Sequence, residues 1–121
     1  MIGYAICGSF CTVSRSLAIM EELSRAGYAI QPIVSEITAT TDTRFGRAAE
    51  LLERVEAISG RKPIRGIPEA EPLGPAMPLE ALVICPCTGN TLAKLAGGIT
   101  DTTVCMAAKA HLRSDRPLLL A

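Results

Sequence analysis

The segment Ile2-Gly3-Tyr4-Ala5-Ile6-Cys7-Gly8-Ser9-Phe10-Cys11-Thr12 passes from an apolar run into a Gly-Ser turn and then into helical periodicity. Ile2 to Cys7 is too short for a helix of its own and is bounded by Gly8, so it reads as a buried strand. Val13, Leu17, Met20 and Leu23 follow at spacings of 4, 3 and 3, which is one face of a helix. Gly27 is placed to end that helix in a left-handed conformation. Strand, turn and helix in this order open a βαβ unit, and the rest of the chain repeats the theme.

Tyr28 to Val34 reads as a second strand, with Pro32 disfavouring a fully central position. Ser35 to Arg44 is rich in Ser and Thr and is expected to be a loop, with Asp42 or Thr43 capping the next helix. Phe45, Ala48, Leu52 and Val55 form that helix's apolar stripe, and Gly60 ends it. Residues 62–78 hold five of the eight prolines and read as a long connection with at most a short strand near Ile64. Ala81 to Cys85 is a clear strand. A short helix from Asn90 to Ala96 follows and is broken at Gly97-Gly98. Thr102 or Thr103 caps a last helix carrying Val104, Cys105, Ala108 and Leu112. The chain stops inside the apolar run Pro117 to Ala121, which looks like a strand cut off, so the expectation is a domain incomplete at its C-terminus.

Alternating strands and helices demand parallel pairing with helical crossovers. Right-handed crossovers place helices on both faces of the sheet. The expected fold is therefore α/β, a doubly wound three-layer sandwich around a parallel sheet. At 121 residues and 12.7 kDa the chain is a single domain spanning 1–121. Twelve basic residues balance twelve acidic ones, so nothing argues for nucleic acid or an anionic membrane surface. Aromatics are 3% with no Trp, which speaks against a base-stacking platform. No run approaches the ~20 apolar residues of a membrane span. Five cysteines without a C-x-x-C pair indicate a reduced, cytoplasmic chain.

Ligands of such sheets sit at the carboxyl ends of the strands, where strand order reverses. Three loops fall there. In Gly8-Ser9-Phe10-Cys11-Thr12, free N–H groups and a positive helix end suit an anion such as phosphate. The same loop equally reads as an ordinary capped turn, since neither G-x-G-x-x-G nor a Walker loop is present. In the second loop, Ser35, Thr38, Thr40, Thr41, Asp42 and Thr43 can bind an oxyanion or simply cap and turn. Arg44 can grip a carboxylate or lie in solvent. The third, Pro86-Cys87-Thr88-Gly89-Asn90-Thr91, carries more polar chemistry than a turn needs. Gly89 permits close backbone approach, and Asn90 offers donors and an acceptor to a planar heterocycle.

The pattern Pro86-x-Thr88-x-Asn90-Thr91-x-Ala93-Lys94-x-Ala96-x-Gly98-x-Thr100-Asp101 resembles the signature of the homo-oligomeric flavin-containing cysteine decarboxylase family of flavoproteins. Gly8-Ser9 matches that family's turn after its first strand. Four segments narrow the resemblance: Thr41-Asp42-Thr43-Arg44-Phe45-Gly46, Ala70-Glu71-Pro72-Leu73-Gly74-Pro75, Thr88-Gly89-Asn90 and Met106-Ala107-Ala108-Lys109-Ala110. Together they are similar to a sporulation branch whose members act as one half of a two-component synthase.

The resemblance implies a flavodoxin-like sheet and an FMN site. Gly8, Ser9 and Ser35 would lie near the flavin phosphate, with Phe10 in the same loop. Thr88, Asn90 and Thr91 would lie near the ribityl chain and ring, on the loop shaped by Pro86 and Gly89. It implies an oxidoreductase subunit that helps convert a dihydrodipicolinate-type ring to dipicolinate beside an A subunit, which alone would bind NAD(P). It also implies a homo-oligomer, a trimer or a multiple of one. Two carboxylates on a cyclic substrate need positive charge, for which Arg44 and Lys94 are the candidates, and Asn90 is the candidate for orienting the ring.

Two departures keep alternatives open. Decarboxylases of the family carry a catalytic His before the strand that leads into the Pro-x-Thr loop, where this chain reads Pro75-Ala76-Met77-Pro78-Leu79-Glu80. Their Pro-x-Met-Asn substrate clamp would lie beyond Ala121. A non-catalytic partner of the A subunit with an empty flavin-like pocket is the alternative, and an FMN-dependent decarboxylase or flavin prenyltransferase the weaker one. The only His, His111, reads as a solvated helix residue. Cys7, Cys85 and Cys105 read as core. Cys11 and Cys87 lie at strand ends, where two thiols can approach a pocket, and no ligand spacing completes a metal site.

Overall fold

The computed structural model describes all residues, Met1–Ala121. Four strands, β1 (Ile2–Ile6), β2 (Ile30–Val34), β3 (Ala81–Ile84) and β4 (Leu118–Leu120), form one all-parallel sheet in the order β2-β1-β3-β4. A 3₁₀ turn (Phe10–Thr12) leads into α1 (Val13–Arg25); α2 (Glu36–Thr40), α3 (Ala48–Ser59) and α4 (Ile67–Ala70) lie between β2 and β3. Two more helices, α5 (Gly89–Gly97) and α6 (Thr103–Leu112), join β3 to β4.

Side-chain alternation in the strands divides the core into two layers. Tyr4 and Ile6 of β1 and Ile30 of β2 pack with Val13, Leu17 and Met20 of α1 and Val55 of α3. Ala5, Ile33, Leu82 and Ile84 face the other way, against Val104, Ala107 and Ala108 of α6 and Ala70 and Leu73. Helices therefore cover both faces, as the three-layer reading requires.

Ile64 explains the path of the long connection. It bridges β2 in parallel at Ile33, with its N–H donating to the Pro32 carbonyl at 2.9 Å and its own carbonyl accepting from Val34 at 2.8 Å. The chain thus moves outward from β1 to β2 to Ile64 with α1 and α3 on one face. It then reverses to β3 and β4 with α4 and α6 on the other. Constant right-handedness forces the change of face when the direction reverses. Pro32 sits where the missing N–H points to the outer edge, beyond the start of that bridge.

Helix ends follow local chemistry. Ser35, Thr88 and Thr102 cap α2, α5 and α6 by accepting from the N–H groups of Thr38, Thr91 and Cys105. Gly60 and Gly98 close α3 and α5 in the left-handed region.

Three local expectations are corrected. Residues 36–40 are helical rather than looped, because Ser35 caps them and Thr38 is buried. Phe45 is not part of the apolar stripe of α3: that helix starts at Ala48, and Phe45 is 55% exposed. His111 is fully buried rather than solvated. Its Nε2–H donates to the Pro117 carbonyl at 2.7 Å, which ties α6 to the approach of β4, while Nδ1 is buried without a partner.

Candidate functional site

Between β1 and β3 the winding changes direction, so the loops leaving these two strands splay to opposite faces and open a crevice. The loops are joined by backbone: Cys7 N–H donates to the Pro86 carbonyl at 3.1 Å. Ser35 N–H donates to the Ile6 carbonyl at 3.0 Å, which brings the loop after β2 to the same end of the sheet. The structure thus gathers Gly8, Ser9, Phe10, Ser35, Pro86, Thr88, Gly89, Asn90 and Thr91 at one edge.

Within this edge the hydroxyls divide into occupied and available groups. Thr88 Oγ1 donates to Thr91 Oγ1 at 3.1 Å and accepts from Thr91 N–H, and Thr91 Oγ1 meets Cys7 Sγ at 3.3 Å. These two threonines therefore lock the start of α5 to the end of β1. Ser35 Oγ is likewise engaged with Thr38 Oγ1 at 2.7 Å. Ser9 Oγ only accepts from Thr12, at 3.1 Å, and keeps its proton free to donate outward. Gly89 and Asn90 are exposed, and a Cβ added to Gly89 would meet nothing within 4 Å. Open space therefore lies over the first turn of α5, whose leading N–H groups have no helical partner. Gly8 is the opposite case, since a Cβ there would come to 2.9 Å from Ile37 Cγ2.

One polar link is not legible in the sequence. Both carboxylate oxygens of Glu36 accept from Thr103 N–H at 3.0 Å, so the side chain of α2 caps α6. An acidic residue in a helix's first turn is the only sign of it, and that position is 67 residues from its partner.

The two cationic candidates are placed differently. Lys94 Nζ donates to Asp101 Oδ1 at 2.8 Å, and that bond raises the affinity of the amine for its proton. Its charge is already balanced at a solvent-facing position. Arg44 lies over the ring of Phe45, 4.9 Å from the centroid, at the tip of a tight turn closed by paired bonds between Thr43 and Gly46.

Two thiols hold their protons more tightly than a free thiol does. Burial pushes the Cys7 thiol up, against the Thr91 hydrogen bond, and burial pushes Cys87 up, with Cys105 adding to it. Cys87 thus neighbours Cys105, while Cys11 is exposed. No three Cys, His, Asp or Glu side chains converge to hold a metal ion. Beneath the crevice Tyr4 donates to the Ser16 carbonyl at 2.8 Å, and Ser16 Oγ donates to the Cys85 carbonyl. Burial raises the Tyr4 phenol strongly.

These shifts have a common sign. Tyr4, Cys7 and Cys87 hold their protons more tightly folded than unfolded. Their contribution is complete below the ordinary thiol value of 9.0 and is lost as pH rises through the folded values. The melting temperature is expected to fall steadily from about pH 9 upward. Cys7→Ser should flatten that fall in a thermal scan by circular dichroism, and an unchanged slope would remove Cys7 from the account.

The flavoprotein family's profile matches residues 1–121. The chain belongs to the flavoprotein family. It is 44% identical over 119 residues to the dipicolinate synthase B subunit of Bacillus subtilis (strain 168), covering 98% of this chain and 60% of that protein. The crystal structure of the dipicolinate synthase B subunit from Bacillus halodurans C superposes with a TM-score of 0.85 at 38% identity, over 98% of this chain and 61% of that one. An FMN-dependent cysteine decarboxylase, SpaF, gives 0.71 at 25% identity, over 99% and 66%. This flavoprotein-family chain therefore spans about 60% of the length of the dipicolinate synthase subunits it matches. The flavodoxin-like parallel sheet is shared with them, and no helix of the chain is long and apolar enough to cross a membrane.

Proposed function

We propose that this chain is the flavin-binding part of a B subunit that, with an A subunit, oxidises a dihydrodipicolinate-type ring to dipicolinate. The observation that carries the reading is the cluster of donors at the carboxyl ends of β1 and β3, with the Ser9 hydroxyl proton, Gly89 and the Asn90 side chain free of internal partners, in a chain 44% identical to such a subunit. The donor set fits FMN. Gly8, Ser9, Phe10 and the Ser35 turn supply backbone N–H and hydroxyl donors to a phosphate. Pro86, Thr88, Gly89, Asn90 and Thr91 border the ribityl chain and ring, with Asn90 as the group that orients the reacting ring. Flavin, when bound, accepts a hydride, and aromatisation of the product favours that direction. Arg44 and Lys94 serve the substrate carboxylates, Lys94 after exchanging Asp101 for the substrate. NAD(P) enters through the A subunit, and the chain acts as a cytoplasmic homo-oligomer, a trimer or a multiple of one.

The test is visible absorption of the purified protein during FMN titration. Uptake with a bound-flavin spectrum, weakened about tenfold in Asn90→Ala as expected for loss of one or two hydrogen bonds, supports the reading. A protein that ignores FMN at millimolar concentration overturns it. The second reading, a non-catalytic partner of the A subunit, draws on His111. The only imidazole of the chain is buried beneath β4 and has no access to the crevice, so no acid or base of the decarboxylase kind is available. Full turnover by an isolated A subunit would establish that reading.

A further inference from the structure

Among the side chains of α2 only Thr38 is buried. The helix has five residues, too few to hold together by its own hydrogen bonds. Its position therefore depends on what fastens it from outside. Ser35 N–H donates to the Ile6 carbonyl at 3.0 Å, which ties the preceding turn to β1. Ser35 Oγ accepts from Thr38 N–H at 3.3 Å and closes the first turn on itself. Neither bond reaches the β3 side of the sheet.

Glu36 supplies that second tie. Both of its carboxylate oxygens accept from Thr103 N–H at 3.0 Å, and no other hydrogen bond joins α2 to α6. The bond is of a strong kind. The acceptor is ionised, and the donor is the first N–H of a ten-residue helix, where the peptide dipoles carry a positive end. Thr103 is fully buried, which limits water as a substitute for the carboxylate. Thr102 caps Cys105 independently, so α6 keeps a cap of its own without Glu36. The loss of Glu36 would thus fall on α2 more than on α6.

The charge of Glu36 is also balanced. Lys94, paired with Asp101 at 2.8 Å, stands within the field of the Glu36 carboxylate as well. With the α6 end on one side and Lys94 near, a carboxylate next to Ser35 repels an anion at that turn less than a free one does.

We propose that Glu36 is a positioning residue: by latching α2 to α6 it sets where the Ser35 turn stands against the Thr88–Thr91 turn, and so how tightly a phosphate is held at the first while a ring sits at the second. This rests on the flavin placement proposed above. Glu36 acts through Ser35 and not by contact with the cofactor.

FMN and riboflavin, which lacks the phosphate, are titrated against the full chain and read by quenching of flavin fluorescence. In Glu36→Ala the FMN affinity is expected to fall about tenfold, as for one charge-assisted hydrogen bond, while riboflavin changes less than about twofold. A general loosening of the fold would weaken both flavins alike, so the ratio of the two affinities separates positioning from structure. Glu36→Gln keeps an oxygen that accepts from Thr103 N–H and should restore FMN binding to within about threefold of the parent. Equal losses for both flavins, or unchanged FMN affinity in Glu36→Ala, overturns the proposal. Tighter FMN binding in Glu36→Gln does so too, because the carboxylate would then act by repelling the phosphate. Hydrogen exchange of the Thr38 and Ala39 amides, which bond to Ser35, reads the latch without any flavin: both should exchange at least about tenfold faster in Glu36→Ala. A parent that ignores both flavins removes the flavin reading and the role in phosphate binding with it; equal exchange rates remove the latch whether or not flavin binds.

Discussion

Gly74→Ala is expected to destabilise the fold by about 3 kcal/mol, at the upper end for an overpacked site. A Cβ at Gly74 would fall within contact distance of the Ala110 carbonyl oxygen and 3.0 Å from its carbon. The obstacle is the backbone of α6, whose own hydrogen bonds prevent it from yielding. Gly74 adjoins Leu73, which is fully buried against the same helix, so the segment cannot lift without exposing core. For a chain of this length the melting temperature should drop by roughly 10 °C or more. Gly97→Ala is the control. Its Cβ would meet Ile99 at 3.8 Å, an ordinary contact at the last turn of α5, and the lower backbone entropy of Ala there should leave stability equal or up to ~1 kcal/mol higher. Urea unfolding of the two variants should move the midpoint in opposite directions. Equal midpoints would show that the contact between Gly74 and the Ala110 backbone of α6 is not tight.

Gly8→Val is expected to abolish most flavin affinity while sparing the fold. The new side chain points at Ile37 Cγ2, 2.9 Å from where its Cβ would sit, and that methyl is fixed on the Cβ of a β-branched residue in α2. Ile37 is exposed and α2 spans only five residues, so a shift of α2 by a few tenths of an ångström accommodates the contact, and the melting temperature should change by only a few degrees. The branched methyls, however, would fill the space at the turn where the phosphate of the proposed flavin would meet the leading N–H groups. We expect FMN to bind about 100-fold more weakly, which corresponds to ~2.7 kcal/mol. Fluorescence quenching of FMN on titration reads the change directly. A Gly8→Val protein that binds FMN as well as the parent would move the phosphate away from this turn.

Much of the fold is written in short-range pattern. The strand of Ile2 to Ile6, the stripe of α1 and the caps Thr88 and Thr102 are local devices, legible because a pleat has period two and a helix 3.6. The places that mislead are those where tertiary contacts override pattern. Ser35 to Thr40 looks like a loop by composition, yet Thr38 is buried and Ser35 caps it. Phe45 looks like core by type, yet the turn at Thr43–Gly46 holds it outside. His111 looks solvated because imidazole is polar, but the Pro117 carbonyl satisfies its Nε2–H inside. The same limit applies at the site. Gly8-Ser9 and Thr88 to Thr91 can be found from their place after strands. The Glu36–Thr103 bond depends on which helices neighbour one another, and that is fixed only by the direction of winding.

The position of β1 also sets an order of events in time. It is synthesised before its neighbours, yet it pairs with β3, whose register places Ile2 beside Ala81 and Ala5 beside Ile84. The Met1 amine meets Glu80 at 3.0 Å, and Cys7 meets Thr91 across 84 positions of chain. Closing loops of that length is the slow part of building such a sheet. A growing chain can form β1, α1 and β2 early, but one edge of β1 stays open until β3 has left the ribosome. The crevice between them does not exist before then. On the placement proposed above, the Gly8–Phe10 and Ser35 turns can meet a phosphate on the nascent first half, but the Pro86–Thr91 side of the site arrives only with β3, so complete ligand binding can assist only the last step.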